Sequence, residues 1–267
     1  MSLYNAMIHF YKYHGAGNDF ILIDGRDNLP ELSTQQIKTI CDRNFGVGAD
    51  GLMFLNESPD YDFEMKYFNS DGLESSMCGN GGRCIVSFAF DMGLKKPSFK
   101  FTAPDGEHYA EILKSNGKIK QIRLQMQDVD EITEINDSLI LDTGSPHYLS
   151  FCNSISDKNV YEAGKAIRNS ERFIEKGINV NFIEQRANHL FVRTYERGVE
   201  NETLACGTGV TAAAIGAYYK NPGKNKVYQI QTMGGILKVS FKEDKNQFTE
   251  VFLEGPAEFV FEGHIQI

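Results

Sequence analysis

No apolar stretch of the 267-residue chain approaches the roughly 20 residues that a membrane-spanning helix needs. Runs of lysine and arginine are absent too. The formal net charge of -9, from 27 basic against 36 acidic residues, argues against nucleic acid or an anionic membrane as partner. Residues 1–8 show neither a charged leader nor an apolar core of a signal peptide, so a cytoplasmic protein is the simplest expectation. Five cysteines (Cys41, Cys78, Cys84, Cys152 and Cys206) form an odd set without a disulfide-scaffold spacing, which fits reduced thiols. Cys78 and Cys84 lie too far apart for a CxxC pair, and no metal site is expected. Gly15-Ala16-Gly17-Asn18 lacks the Lys-Ser/Thr of a P-loop. Gly207-Thr208-Gly209-Val210-Thr211-Ala212 formally fits a dinucleotide fingerprint, but no βαβ unit with an acidic residue at the next strand end is apparent.

What the chain does contain is a pair of related segments. Asn69-Ser70-Asp71-Gly72-Leu73-Glu74-Ser75-Ser76-Met77-Cys78-Gly79-Asn80-Gly81-Gly82-Arg83 is matched by Tyr195-Glu196-Arg197-Gly198-Val199-Glu200-Asn201-Glu202-Thr203-Leu204-Ala205-Cys206-Gly207-Thr208-Gly209. Each follows a strand pattern and precedes an apolar helical run, near 80–92 and 208–220. Those helices carry apolar residues on most faces, so each is expected to be buried inside a curled sheet. Strands are expected near 8–13, 20–24, 52–55, 62–68, 98–103, 107–113 and 119–125, with a turn over His14–Asp19 between the first two. A second set is expected near 139–142, 146–151, 178–185, 189–195, 226–232, 235–242, 248–254 and 258–265. Ser33 with Gln36 reads as a capping box for one further helix, and another is expected near 159–169.

A helix start has unpartnered N–H groups and partial positive charge, and glycines let that backbone approach a ligand closely. Such a start suits a carboxylate. A cysteine there has its thiolate stabilised, so it can take and give protons near neutral pH. The same N–H groups would stabilise a carboxylate gaining enolate character as its α-proton leaves. Two such thiols, Cys78 and Cys206, acting from opposite sides would invert a stereocentre without a cofactor. Cys41, Cys84 and Cys152 lack the glycine-rich setting and read as structural.

These blocks resemble the diaminopimelate epimerase family. The likeness runs through His14-Gly15-Ala16-Gly17-Asn18-Asp19-Phe20, Gly46-Val47-Gly48-Ala49-Asp50-Gly51, Asn69 and Cys78-Gly79-Asn80-Gly81-Gly82-Arg83. It continues through Pro146-His147, Asn179, Glu196-Arg197-Gly198 and Ala205-Cys206-Gly207-Thr208-Gly209, and so covers nearly the whole chain. The resemblance implies an α+β fold of two pseudo-symmetric domains, each a curled, mostly antiparallel, barrel-like sheet around a central helix. The domains would be residues 1–126 plus 257–267 and residues 127–256, with the site in the cleft between them. It implies cofactor-independent interconversion of LL- and meso-diaminopimelate in the lysine and peptidoglycan precursor pathway, with Cys78 and Cys206 as the two acid–bases. Gly79, Asn80, Gly207 and Thr208 would line the two anion pockets. Asn18, Asn69, Asn179, Glu196 and Arg197 would hold the substrate's amino and carboxylate groups, as Arg–carboxylate pairing and Glu–ammonium pairing allow. His147 would bind substrate or help set the thiols' protonation. Ser145 stands where many family members have Asn; it keeps a hydrogen-bonding group with shorter reach, so a water would intervene. The partner implied is a small-molecule substrate, with no nucleic acid or membrane and a homodimer as a possible assembly. Proline racemases and hydroxyproline epimerases have His where this chain has Asn80, and phenazine-pathway isomerases on this fold replace the first cysteine.

Overall fold

Ile21-Leu22-Ile23 and Leu52-Met53-Phe54-Leu55 are continuous apolar runs, the pattern of strands covered on both faces. In the computed structural model, which describes residues 7–26 and 31–266, these runs lie in neighbouring parallel strands and are buried throughout. The residues read above for a leader lie mostly outside the described part. The chain divides into two units, one running to Leu124 and resuming at Pro256, the other spanning Gln125–Gly255.

The first unit begins with the antiparallel pair β1 (Met7–Gly15) and β2 (Asn18–Asp24). Helix α1 (Thr34–Cys41) crosses to β3 (Gly51–Asn56), parallel to β2, and β3 pairs antiparallel with β4 (Phe63–Asn69). Helix α2 (Gly79–Asp91) crosses to β5 (Ser98–Ala103), parallel to β4, and β6 (Gly106–Asn116) and β7 (Ile119–Gln125) follow as antiparallel neighbours. The C-terminal strand β16 (Gln247–Gln266) neighbours β7 and pairs antiparallel with β1, from Met7 opposite Gln266 to His14 opposite Glu258. The ring therefore closes, and a closed sheet has no free edge.

Helix α2 fills the ring. Every residue from Gly79 to Ala89 is buried, as its all-round apolar pattern requires. Helix α1 lies outside, with Ile37, Ile40 and Cys41 packed on Ile8, Phe10, Ile21, Ile23, Leu52 and Phe54. Its Ser33 and Gln36 form the expected capping box, in which the Ser33 side chain accepts from Gln36 N and the Gln36 side chain accepts from Ser33 N.

The second unit repeats this connectivity. Strands β9 (Ser138–Asp142) and β10 (Pro146–Cys152) form the antiparallel opening, and α3 (Val160–Arg168) crosses to β11 (Asn179–Gln185), parallel to β10. Strand β12 (Leu190–Glu196) returns antiparallel, and α4 (Gly207–Lys220) crosses to β14 (Val227–Thr232), parallel to β12. Strand β15 (Gly235–Asp244) and residues 247–255 of β16 complete the sheet. Helix α4 is buried from Gly209 to Tyr218, and α3 packs outside against Ile178, Val180 and Tyr195. The α+β fold with two repeats, each a curled sheet around a helix, is thus observed.

The structure corrects four local expectations. The turn over 14–19 is a two-residue hairpin, because Ala16 (φ 54°) and Gly17 (φ 85°) both adopt the left-handed region that tight hairpins require, and pairing continues to Gly15–Asn18. Strands 248–254 and 258–265 are one 20-residue strand: Gly255-Pro256 reads as punctuation but does not break it. Two short strands, β8 (Ile132–Ile135) and β13 (Asn201–Thr203), pair at β9 and β12. Finally, Gly207-Thr208-Gly209 does open the helix of a parallel β12–α4–β14 crossover. That crossover's second strand ends in Gln231-Thr232 and supplies no acidic residue for a ribose. Among the described residues no helix is long and apolar enough to cross a membrane.

Candidate active site

Each unit sets a cysteine at the N-cap of its buried helix. Cys78 has an extended backbone (φ -106°, ψ 149°), and its Sγ accepts from Gly81 N at 3.1 Å. The first turn of α2 is thereby satisfied by sulfur, in the manner of a serine or aspartate cap. A Cβ on Gly81 would lie 3.1 Å from Cys78 Sγ and 2.9 Å from Met53 Cε, so glycine there is what lets the thiol fold over the helix start. Cys206 caps α4 with a similar backbone (φ -112°, ψ 113°), and its Sγ lies 3.4 Å from Thr208 Oγ1. Cys78 is partly exposed and Cys206 is buried. Burial pushes the Cys41 thiol up to about 12 and the Cys84 thiol further, so both are protonated at working pH.

Around Cys78 the polar groups form a chain of hydrogen bonds. Asn80, buried beside it, donates from Nδ2 to Asn18 Oδ1 (3.1 Å) and accepts at Oδ1 from Arg83 (2.9 Å). Asn18 Nδ2 donates to Asp50 Oδ2 (2.6 Å), and Arg43 bridges Asp50 and Asp19. Burial works against the Asp19 carboxylate, but hydrogen bonds from Arg43 and Lys12 outweigh it and hold the carboxyl well below the usual range. The start of β2 is therefore anchored. Asn69 sits exposed at the end of β4, in register with Gly51, on the strand that leads to Cys78.

In the second unit the sheet register lines up three expected site residues. His147 opposes Asn179 across β10–β11, and Val180 opposes Tyr195, which sets Asn179 beside Glu196. Asn179 Nδ2 donates to Ser145 Oγ (2.8 Å), its Oδ1 accepts from Arg197 N (2.8 Å), and Arg197 Nη2 reaches Ser145 Oγ at 3.4 Å. Ser145, Asn179 and Arg197 thus form one cluster. Glu196 accepts from Thr203 Oγ1 at 2.9 Å. Thr208 O accepts from Thr143 Oγ1 (2.9 Å), which ties the start of α4 to the end of β9.

His147 is fully buried. Asn181 Nδ2 donates both to Tyr148 O (3.3 Å) and toward His147 Nδ1 (3.0 Å). A carbonyl can only accept, so the amide nitrogen faces the ring and His147 Nδ1 is the acceptor. The ring proton therefore sits on Nε2, which makes no hydrogen bond among the described residues. Burial, aided by the charge of Arg197, pushes the imidazole down to about 3, so it is neutral at working pH. Among the described residues no cluster of His, Cys, Asp and Glu could hold a metal ion.

Against known families, the chain matches the sequence profile described as diaminopimelate epimerase over residues 10–130 and 139–260. The chain belongs to that family. It is 46% identical over 254 residues to the diaminopimelate epimerase of Flavobacterium psychrophilum, covering 94% of this chain and 98% of that one. With the Aquifex aeolicus diaminopimelate epimerase the identity is 38% over 275 residues, covering 97% and 98%. Among solved structures it resembles a PhzF-family phenazine biosynthesis protein of Bacillus anthracis (TM-score 0.75, 18% identity, 98% of this chain and 100% of that one). A hydroxyproline epimerase of Agrobacterium vitis is similar at TM-score 0.72 and 12% identity, covering 100% of this chain and 94% of that one. These structural likenesses establish the fold.

Several contributors escaped the sequence reading. Asn181 and Thr194 are polar residues inside buried strands, and that interruption of an apolar run was their signal. Arg83 is a fully buried arginine on a largely apolar helix and carried the same kind of signal. Asp50 was visible only as part of a glycine-rich block.

Proposed function

We propose that the chain is a cofactor-independent epimerase that interconverts LL- and meso-diaminopimelate, with Cys78 and Cys206 as its two acid–bases. The observation that carries the reading is the repeated capping cysteine: one thiol at the matched helix start of each unit, in a chain that belongs to this family. One thiolate takes the α-proton, breaking Cα–H and forming S–H, while the electron pair moves into the adjacent carboxylate as enolate. The other thiol then delivers its proton to the opposite face of the carbon, and the configuration inverts. The N–H groups at Gly79, Asn80, Gly207 and Thr208 stabilise the carboxylate as it gains charge.

Asn18, Asn69, Ser145, Asn179, Glu196 and Arg197 would hold the substrate's amino and carboxylate groups, with Arg197 pairing a carboxylate and Glu196 an ammonium. His147, neutral and with Nε2–H unpartnered among the described residues, suits a donor to a substrate carboxylate better than a proton shuttle. A cytoplasmic location fits reduced thiols, and a homodimer would be seen as twice the chain mass in light scattering.

The test is to incubate reduced protein in D₂O with LL-diaminopimelate, and separately with L-proline, while following the α-proton by NMR. Loss of that signal with growth of the meso isomer supports the reading. Exchange with proline alone would overturn the substrate, and no exchange with either would overturn the activity.

A further inference from the structure

The segment leading into each capping cysteine is tied to a hairpin tip, and the two units make the tie by different means. In the first unit Asp105, at the tip of the β5–β6 hairpin, accepts from Met77 N through Oδ1 at 2.9 Å. In the second, Gly234, at the tip of the β14–β15 hairpin, donates from its backbone N to Leu204 O at 2.8 Å. The tips correspond. Ala103 pairs with Gly106 around Pro104-Asp105, and Thr232 pairs with Gly235 around Met233-Gly234. Both closing glycines have positive φ, 121° and 145°. Asp105 thus stands in the place of Gly234 and does with a side chain what the other unit does with main chain.

The anchor is itself held. The same Asp105 Oδ1 accepts from His108 Nε2 at 3.3 Å, and the His108 ring packs on Phe101 with centroids 5.3 Å apart. Partial burial works against the Asp105 carboxylate, but hydrogen bonds from His108 and Met77 outweigh it and hold the carboxyl below its usual range. Met77 is fixed on its other side too. A Cβ on Gly82 would lie 2.8 Å from Met77 Sδ, so the methionine side chain lies against the first turn of α2. The second unit reverses these sizes, with Ala205 before its cysteine and Val210 four residues after it. Upstream of Met77, Ser75 N donates to Tyr67 O; downstream, Gly81 N donates to Cys78 Sγ. Asp105 holds the backbone between those two points, one residue from the thiol.

We propose that Asp105 is a positioning residue for Cys78: by accepting from Met77 N it fixes the backbone that brings the thiol over the start of α2. Its meaning for turnover rests on the epimerase reading above, whereas the hold itself belongs to the chain whatever its substrate. A thiol that takes a proton from carbon must sit within about 0.5 Å of its productive place, and a displacement of about 1 Å can cost about 100-fold in rate.

Amide hydrogen exchange by NMR reads the hold, and steady-state kinetics with LL-diaminopimelate read its consequence. In the wild-type protein Met77 N–H should exchange about tenfold or more slower than the N–H of its exposed neighbour Ser76. Asp105→Ala should erase that difference and lower kcat by about tenfold or more with little change in KM. Amides of the second unit, Gly209 among them, should keep their protection, which separates local release from general loosening. Asp105→Asn keeps an acceptor oxygen in place and should restore most of both effects. A wild-type Met77 amide that exchanges as fast as Ser76 would overturn the proposal, and this comparison stands even if Asp105→Ala does not fold. Released Met77 with unchanged kcat would overturn it as well. So would a loss of kcat in Asp105→Asn with Met77 still protected. Met77 protection is read without substrate, so its failure is separable from failure of the D₂O test.

Discussion

Acidification should destabilise the second unit through His147, and the size of the effect can be worked from its surroundings. In the unfolded chain the imidazole titrates near its ordinary value of about 6.5. In the folded protein burial, aided by Arg197, holds it down to about 3. Protonation would also set an Nδ1–H against the Asn181 Nδ2–H that now donates to it, so two donors would face each other. The unfolded state therefore binds more protons between these two values. The stabilisation is fully present above pH 6.5 and is lost as pH falls toward 3. Between pH 7 and pH 5 the loss is about 2 kcal/mol, at 1.36 kcal/mol for each pH unit beyond about 6.5. Other groups titrate as well, so the informative quantity is a difference. Wild-type and His147→Gln proteins would be unfolded in urea at pH 7 and pH 5. Whatever His147→Gln costs at pH 7, the advantage of the wild type should shrink by about 2 kcal/mol at pH 5, because the variant has no imidazole to charge. A gap that stays constant, or a His147 ring that titrates near 6.5 by NMR, would refute the reasoning.

Further predictions concern the thiols and their frame. Cys78→Ala and Cys206→Ala should each abolish epimerisation while leaving the circular dichroism spectrum near wild type, with Cys78→Ala losing about 0.5–2 kcal/mol of stability with its cap; full turnover in either would sink the two-base reading. Arg197→Ala should raise KM far more than it lowers kcat if, as proposed, it holds substrate; an unchanged KM would contradict that role. Gly209→Ala should cost about 1–3 kcal/mol in urea unfolding, the usual range for overpacking, because the new methyl meets Asn181 Oδ1 at 2.4 Å and Cys206 Sγ at 3.3 Å. A variant as stable as wild type would show that the frame around Cys206 yields more easily than its contacts imply.

Much of this architecture is legible in the residues because local and global signals agree. The Ser33–Gln36 capping box, the glycine-rich starts after Cys78 and Cys206, and the all-apolar faces of α2 and α4 each point to the element that forms. What escapes is decided by contacts distant in sequence. The 20-residue β16 reads as two strands because Gly255-Pro256 mimics a break, yet its two ends pair with β15 and with β1, which hold it extended on either side. Strands β8 and β13 are four and three residues long, too short for a period-two pattern to register. His147 falls in an expected strand, but its burial is invisible there; pairing with Leu141 and Asn179 on either side encloses it.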